Sequence, residues 1–300
     1  MPGRFGRVLT AMATPFHPDG SLDVAGAQRL ARHLLDHGTD TLVVAGTTGE
    51  SPTLTAEEKS SLWAAVVEAA GGGARVMAGT STYSTAESLE LTRLAEKAGV
   101  GSLLLVTPYY NKPPQTGLLA HFSAIAGATD LPCLLYNIPG RTACTIEVAT
   151  MVRLFEAHDN LVGVKDAVGD MAAATRLYRQ TGGAMEQYSG DDKNLLPLLA
   201  VGGVGVISVA SHLVGPALQE LVVAFERGEV RAALDLHVRH LALFEGLFAT
   251  SNPILLKAAM NLLGLPAGPL RPPLVDATAE QVDFVRGLLA DVGLAEGARA

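Results

Sequence analysis

Short apolar runs alternate with longer amphipathic stretches along most of the chain. The runs are β-branched or leucine-rich, as in buried strands, whereas the stretches carry apolar residues every three to four positions, as in helices. The runs predict eight strands, over residues 8–15, 41–46, 75–79, 102–107, 133–137, 161–165, 186–189 and 204–209. A helix is predicted after each strand, over residues 24–37, 56–70, 86–98, 117–128, 146–157, 171–181, 195–201 and 216–227.

Eight strand–helix units with mostly continuous apolar strands are typical of a parallel sheet covered by helices. Their number predicts a closed (β/α)8 TIM barrel. The alternative is an open doubly wound sheet, which normally has a nucleotide fingerprint after its first strand, and residues 12–16 do not form one. After Gly228 the pattern changes to helices over 232–249, 253–263 and 279–289. We therefore predict a catalytic α/β barrel over residues 1–228 and a C-terminal helical appendage over 229–300.

Composition and charge narrow the functional classes. The 300 residues are 48% hydrophobic and 17% charged, which supplies ample apolar surface for a large core. A net charge of −8 without a basic run argues against a nucleic-acid-binding protein. The apolar runs are far shorter than the roughly 18 residues of a membrane helix, and the N-terminus lacks an apolar signal segment. We expect a cytoplasmic protein with neither a nucleic acid nor a membrane as partner.

The residues that usually hold metals or form disulfides are sparse. Two cysteines, Cys133 and Cys144, are too few for a disulfide framework in a chain of this length. The eight histidines form no cluster with metal-ligand spacing. Asp191 and Asp192 are adjacent carboxylates, but no second acidic cluster supports a metal site. No metal is therefore expected.

Polar residues follow most of the predicted strands, at the pole where a TIM barrel has its active site. Lys165 lies at the end of the apolar run 161–165, and burial would lower its pKa and favour the neutral amine. A neutral amine can attack a ketone or aldehyde to form a Schiff base. The alternative is a strand-end lysine that reaches solvent or pairs with Asp166.

Three further features at this pole suit carboxylate or carbonyl chemistry. Tyr136 ends the strand next to that of Lys165, so its phenol is either an acid/base group close to the amine or a core aromatic. The turn at 46–49, Gly-Thr-Thr-Gly, offers successive backbone amides that can hold a carboxylate. Arg141 follows Pro-Gly in a loop, and arginine is the usual bidentate partner of carboxylates, although most loop arginines are only solvated.

Six motifs together resemble the dihydrodipicolinate synthase and N-acetylneuraminate lyase family of class I pyruvate-dependent aldolases. The motifs occur in the family's order and are GTTGE at 46–50, TPYYN at 107–111, YNIPGRT at 136–142, GVKD at 163–166, SGDD at 189–192 and GVIS at 205–208. The motifs TPYYN and YNIPGRT favour the synthase branch of this family, because lyases of sugar acids usually differ at Arg141.

The resemblance implies catalytic roles for four residues. Lys165 would form the Schiff base with pyruvate, and Tyr136 would be the central acid/base. Thr48 would pass protons between Tyr136 and Tyr110, with Tyr110 coming from the neighbouring subunit. Pyruvate bound covalently to Lys165 would then take the place of a cofactor.

The resemblance also implies the substrate-binding residues and the assembly. The amides of Thr47 and Thr48 would hold the pyruvate carboxylate, and Arg141 would bind the carboxylate of L-aspartate 4-semialdehyde. Gly190 and Ile207 would line the site through their backbone. The reaction would lead to diaminopimelate and lysine, and the protein would be a homotetramer of two tight dimers, or a dimer.

Three of the four positions associated with feedback inhibition by lysine depart from the family pattern. Glu87 is present, but Ala56, Lys59 and Tyr83 stand where lysine-sensitive members tend to have His, His and Asn. A resident Lys59 would repel a lysine ligand. We therefore predict that lysine inhibits this protein weakly or not at all.

Two other functions compete with the synthase. One is a related pyruvate-dependent lyase or dehydratase that acts on a sugar acid or another 2-oxo acid. The other is a non-catalytic barrel with a binding or regulatory role. Another residue type at position 165 or 136 would have favoured that function, but Lys165 and Tyr136 are both present.

Overall fold

Eight parallel strands close into a barrel in sequence order in the computed structural model, which describes residues 3–294. Each strand pairs with its sequence neighbours, and the eighth pairs with the first, which closes the sheet. The strands are β1 (Val8–Ala11), β2 (Thr41–Val44), β3 (Val76–Gly79), β4 (Ser102–Val106), β5 (Cys133–Asn137), β6 (Leu161–Asp166), β7 (Glu186–Ser189) and β8 (Gly205–Ser208). The predicted (β/α)8 TIM barrel is confirmed, and the open doubly wound sheet is wrong.

Helices follow every strand and surround the barrel. They are α1 (Val24–Asp36), α2 (Ala56–Ala69), α3 (Thr85–Lys97), α4 (Gln115–Ala126), α5 (Pro139–Thr142), α6 (Val148–Ala157), α7 (Met171–Thr181), α8 (Leu195–Ala200) and α9 (Ser211–Glu226). The prediction missed the single-turn helix α5, which begins at a proline and carries Arg141. It also started α9 at Pro216, whereas the helix begins five residues earlier and continues through that proline after a kink at Val214.

Three more helices follow the barrel, as predicted: α10 (Val230–Gly246), α11 (Ile254–Leu262) and α12 (Ala279–Asp291). The predicted boundary between residues 228 and 229 falls in the turn between α9 and α10, and the division into two units stays a prediction. Residues 1–2 and 295–300 of the predicted units lie outside the described residues. Within residues 3–294, no helix is long and apolar enough to cross a membrane.

Inward-facing side chains fill the barrel, and a larger apolar layer separates the strands from the helices. The inner group contains one to two residues from most strands, chiefly Leu9, Val43, Met77, Leu104, Leu134, Tyr136, Tyr188 and Ile207. Because side chains alternate between the two faces of a strand, Tyr136 and Ile207 point into the barrel. This packed interior supports the polar pole where the strands end.

The segments Thr55–Glu58 and Ser84–Glu87 each predict a capping box, at the starts of α2 and α3, and only the first of the two forms. Thr55 and Glu58 form the expected reciprocal capping box at α2. Ser84 caps α3 by accepting from the Glu87 amide, but the Glu87 carboxylate does not return the bond. It accepts instead from the Thr82 hydroxyl at 2.9 Å. The predicted second capping box is therefore wrong, and the Glu87 carboxylate is turned toward the loop after β3.

Candidate active site

Lys165 and Tyr136 lie side by side at the carboxyl ends of β6 and β5. The two residues are direct partners in the register of these strands, so their side chains leave the sheet on the same, inner face. The Lys165 Nζ lies 4.2 Å from the centroid of the Tyr136 ring. Both side chains are almost completely buried. The expected proximity of this amine and this phenol is confirmed.

Burial changes the protonation of both groups in opposite directions. Desolvation lowers the pKa of Lys165 to about 7. The Arg141 charge also lowers this pKa, whereas the Asp192 carboxylate raises it. Desolvation also raises the pKa of Tyr136 to about 12, against the charge of Arg141. Near pH 7 the site therefore holds a large fraction of neutral amine beside a neutral phenol.

The threonine that accompanies Tyr136 is Thr47 rather than Thr48. Hydrogen bonding from the Thr47 side chain lowers the pKa of Tyr136. The Thr48 hydroxyl is buried and accepts a hydrogen bond from Asn252 Nδ2 at 2.9 Å. Successive side chains in this tight turn point in different directions, and spacing alone did not reveal which one reaches the phenol. The structure therefore places the Thr47 hydroxyl against the phenol where the sequence analysis expected that of Thr48, and the role of either threonine in proton transfer stays a prediction.

A cavity of about 220 Å³ opens at this pole, with Thr47, Tyr136 and Arg141 among its lining residues. Ser81 and Tyr109 line it from the loops after β3 and β4. The volume lies below the roughly 300–1,000 Å³ of pockets for drug-sized ligands, so the cavity suits a small molecule. Its guanidinium, phenol and turn amides suit a ligand that carries carboxylate and carbonyl groups.

Gly190 lies directly after β7 and Ile207 lies in β8, the two strands that complete this side of the barrel. The Gly190 amide donates to the Asp166 carbonyl at 2.6 Å. A Cβ at this position would lie 2.8 Å from the Cβ of Ala167, so the close approach of the two strand ends requires glycine. Ile207 belongs to the same inner apolar group as Tyr136. Their role in lining a substrate stays a prediction.

Tyr110 does not reach the cavity of its own chain. Its side chain is 93% exposed and its backbone has a φ of 72°, which is uncommon for a residue with a Cβ. The adjacent Tyr109 turns the other way, lines the cavity and packs edge-to-face on Tyr83 with ring centroids 5.2 Å apart. The loop therefore presents one aromatic inward and one to the outside.

Comparison with known proteins agrees with these motifs and this geometry. The model of the dihydrodipicolinate synthetase family matches residues 4–291. The chain belongs to this family. It is 55% identical to a 4-hydroxy-tetrahydrodipicolinate synthase of Acidothermus cellulolyticus over 295 residues, which cover 98% of this chain and 95% of the relative.

Solved structures of family members superpose closely on this chain. A dihydrodipicolinate synthase of Cyanidioschyzon merolae with lysine bound gives a TM-score of 0.94 at 47% identity and covers 97% of this chain and 99% of its own. A chloride-inhibited dihydrodipicolinate synthase of Acinetobacter baumannii complexed with pyruvate gives a TM-score of 0.93 at 37% identity. The match covers 97% of this chain and 100% of that one. The synthetase family thus includes members that were solved with each of these two small molecules.

Of the four positions that the resemblance associates with lysine inhibition, one already holds an amine in this chain. Lys59 is buried, and desolvation lowers its pKa while the Glu87 carboxylate raises it. The Glu87 carboxylate is thus close enough to raise the pKa of Lys59, and it also accepts a hydrogen bond from the Thr82 hydroxyl. A lysine ligand would meet a carboxylate that is already partly neutralised and a like charge beside it.

We expect free L-lysine to leave the activity nearly unchanged. A second ammonium about 4 Å from Lys59 would be opposed by about 1 kcal/mol even in bulk water, and by more in a buried site. The measurement is a titration of steady-state activity with L-lysine, compared with sodium chloride at equal ionic strength. Strong, cooperative inhibition by lysine but not by the salt would contradict the prediction.

Sequence reasoning missed several residues that shape the site. Asp192 was considered only as a metal ligand. It is buried, and its charge raises the pKa of Lys165. Its Oδ2 accepts hydrogen bonds from the backbone amides of Val209 and Ala210. Glu50 and Asn252 are buried polar residues whose partners lie more than 200 residues away in the sequence. Glu50 belongs to the motif GTTGE, but no local signal in the sequence links it or Asn252 to a segment so far away.

Proposed function

We propose that this protein is a 4-hydroxy-tetrahydrodipicolinate synthase that condenses pyruvate with L-aspartate 4-semialdehyde through a Schiff base on Lys165. The observation that carries the proposal is the buried Lys165 amine packed on the ring of Tyr136. The cavity beside this pair, with Thr47 and Arg141 in its lining, supports it. The name of the relatives at 49–55% identity supports the choice of substrates.

The first half of the reaction would use the neutral amine. Lys165 Nζ attacks the keto carbon of pyruvate while the amides of Thr47 and Thr48 hold its carboxylate. Tyr136 delivers a proton to the oxygen of the resulting carbinolamine, which leaves as water and gives the imine. The Tyr136 phenolate then takes a proton from the pyruvate methyl group, which converts the imine to a nucleophilic enamine and restores the phenol.

The second half would form the carbon–carbon bond. The enamine attacks the aldehyde carbon of the semialdehyde, whose carboxylate is bound by Arg141. The new alkoxide takes a proton from Tyr136, and the amine of the bound semialdehyde displaces Lys165 from the imine carbon, which closes the ring. Thr47 would connect Tyr136 to solvent through Tyr110 of a second copy.

We propose the same second copy as the protein's partner. The exposed Tyr110, with its left-handed backbone, extends away from its own site and is suited to complete the site of a neighbouring subunit. A homotetramer of two tight dimers, or a dimer, would provide this arrangement. We also propose a cytoplasmic location, because the product serves amino-acid biosynthesis, and no cofactor beyond covalent pyruvate.

Reduction with borohydride in the presence of pyruvate tests the mechanism. The expected result is one irreversible pyruvate adduct per chain, found on Lys165 by peptide mass mapping, and no adduct when pyruvate is omitted. An adduct on another of the six lysines, or none at all, would overturn the Schiff-base mechanism.

Turnover assays separate the synthase from a sugar-acid lyase. The expected result is turnover of pyruvate with L-aspartate 4-semialdehyde and little turnover of pyruvate with sugar aldehydes. If sugar aldehydes were the better substrates while the pyruvate adduct still formed on Lys165, the aldolase chemistry would stand and the proposed second substrate would be replaced.

The rate of adduct formation is expected to rise with pH and to level off. Burial lowers the pKa of Lys165 to about 7, so the neutral amine increases through this pH and predominates above it. Asp192→Asn removes the charge that opposes this shift while keeping an oxygen for the two backbone amides, and it should move the midpoint to lower pH. Single-turnover trapping across this range measures both curves. A midpoint near 10, the usual range of lysine, would contradict the assignment.

A further inference from the structure

One C-terminal segment holds the Gly-Thr-Thr-Gly-Glu turn at two points. Asn252 Nδ2 donates to Thr48 Oγ1 at 2.9 Å. Five residues later, Lys257 Nζ lies 2.6 Å from Glu50 Oε1. All four side chains are nearly inaccessible to solvent. The helical region that follows the barrel therefore reaches into the pole where the strands end.

We propose that Asn252 is a positioning residue for the pyruvate-carboxylate site. By holding the Thr48 hydroxyl, it fixes the direction in which the amides of Thr47 and Thr48 point. The inference rests on the proposed function, because it assigns these amides to the carboxylate of pyruvate. Asn252 itself does not touch substrate in this proposal.

The turn needs external contacts because its own backbone is strained. Ala45 and Glu50, at its two ends, have φ values of 58° and 54°. Residues with a Cβ adopt this left-handed region at a cost, and such conformations persist only where the surroundings over-determine them. Asn252 and Lys257 supply two of these contacts from outside the turn. Loss of either contact should let the amides turn away from the substrate.

The environment of Asn252 favours a role in positioning over a role in stability. Its Oδ1 is buried and has no hydrogen-bond partner among the described residues. A buried polar atom without a partner lowers stability, and an apolar residue of similar shape would avoid this cost. What the carboxamide gains in return is the single bond to Thr48. Asn252 is thus suited to hold the Thr48 hydroxyl, although one of its own polar atoms stays without a hydrogen bond.

The pair of Lys257 and Glu50 anchors the other end of the turn. Lys257 lies in the first turns of α11, donates to the Pro269 carbonyl at 2.9 Å and lies over the Phe16 ring. Glu50 Oε2 also accepts the amide of Arg271 at 2.9 Å. Buried charges need a partner of opposite charge and further hydrogen bonds, and both groups have them: they form an ion pair, and each makes one further hydrogen bond. They make the segment that carries Asn252 a fixed support.

Asn252→Ala is expected to raise the pyruvate concentration needed for half-maximal labelling of Lys165 by about tenfold, the size of one buried hydrogen bond. KM for pyruvate should rise with it, whereas KM for the semialdehyde should stay unchanged, because Arg141 binds that substrate. Asn261→Ala is the matched control: it removes a carboxamide bond to the Gly268 carbonyl in the same region and should leave both values unchanged.

Thr48→Val and the double variant test whether Asn252 acts through Thr48. If it does, Asn252→Ala adds nothing in the Thr48→Val background, because the hydroxyl it holds is already gone. Equal effects of Asn252→Ala in both backgrounds would overturn the proposal. A lowered melting temperature with unchanged half-saturation by pyruvate would also overturn it, because that result means a purely structural role.

Failure of this inference is distinguishable from failure of the proposed function. If pyruvate and borohydride do not label Lys165 in the wild-type protein, the Schiff-base function fails, and the positioning role falls with it. If the wild type is labelled and Asn252→Ala is labelled at the same pyruvate concentrations, only the positioning role is wrong.

Discussion

Replacing Lys165 with arginine is expected to reduce turnover by at least about 1,000-fold, which corresponds to a loss of about 4 kcal/mol of transition-state stabilisation. Arginine keeps the positive charge near Asp192 but does not deprotonate in proteins, so it offers no nucleophile for a Schiff base. Lys165→Ala should have the same effect without the added bulk. The measurements are kcat/KM with both substrates and borohydride labelling with pyruvate.

Lys193 provides a control for Lys165 close to the same site. It follows the motif at 189–192, lies 3.8 Å from the Asp191 carboxylate and is largely exposed. Lys193→Ala should retain activity and labelling, because its side chain is exposed and is not buried against the Tyr136 ring as that of Lys165 is. Substantial turnover by either Lys165 variant, with folding unchanged, would show that another group carries the reaction.

Tyr136→Phe is expected to lower kcat/KM by about 100- to 10,000-fold, the range for loss of a positioned acid/base group. The phenylalanine ring retains the packing against Lys165 Nζ, which lies 4.2 Å from the ring centroid, so the variant removes little besides the hydroxyl. Labelling of Lys165 by pyruvate and borohydride should persist but become slower, because the carbinolamine loses water without its proton donor.

Tyr188→Phe is the matched control for Tyr136. Tyr188 is also a buried tyrosine and is the partner of Lys165 on the other neighbouring strand. Its hydroxyl points to the opposite end of the barrel, where it accepts from the Phe5 amide and donates to the Gly6 carbonyl. Its loss should affect stability more than turnover. If both variants lost activity equally, the effect of Tyr136→Phe would come from the barrel core and not from proton transfer.

In the proposed mechanism, the opposite pKa changes at this pair let one site supply a nucleophilic amine and a proton donor near neutral pH. Burial lowers the pKa of Lys165 to about 7 and raises the pKa of Tyr136 to about 12. Both changes favour the neutral form, so the amine can attack a carbonyl while the phenol retains the proton that it must donate. The same burial thus keeps both groups neutral. The charge of Asp192 raises the pKa of the amine, and the charge of Arg141 lowers it.

The fold and the central pair were predictable because they depend on local patterns. Eight apolar runs separated by helical stretches allow few arrangements, and a closed parallel barrel accommodates all eight strand–helix units. Lys165 stood out because it ends a run that is otherwise apolar, and the preceding run along the chain carries Tyr136 one residue before its end. Neighbouring strands in a (β/α)8 barrel are consecutive in sequence, so the order of the runs already predicted that the two residues meet.

The sequence by itself determined the barrel and the proximity of Lys165 and Tyr136 at the carboxyl ends of its strands, because regular strands place side chains at predictable positions. Only the tertiary structure decided that Thr47 accompanies the phenol and that Asn252 holds Thr48. The reason is physical: the turn after β2 adopts left-handed backbone at Ala45 and Glu50, so its side-chain directions follow no period. Contacts with residues more than 200 positions away hold it there, and such contacts form only when the chain has folded.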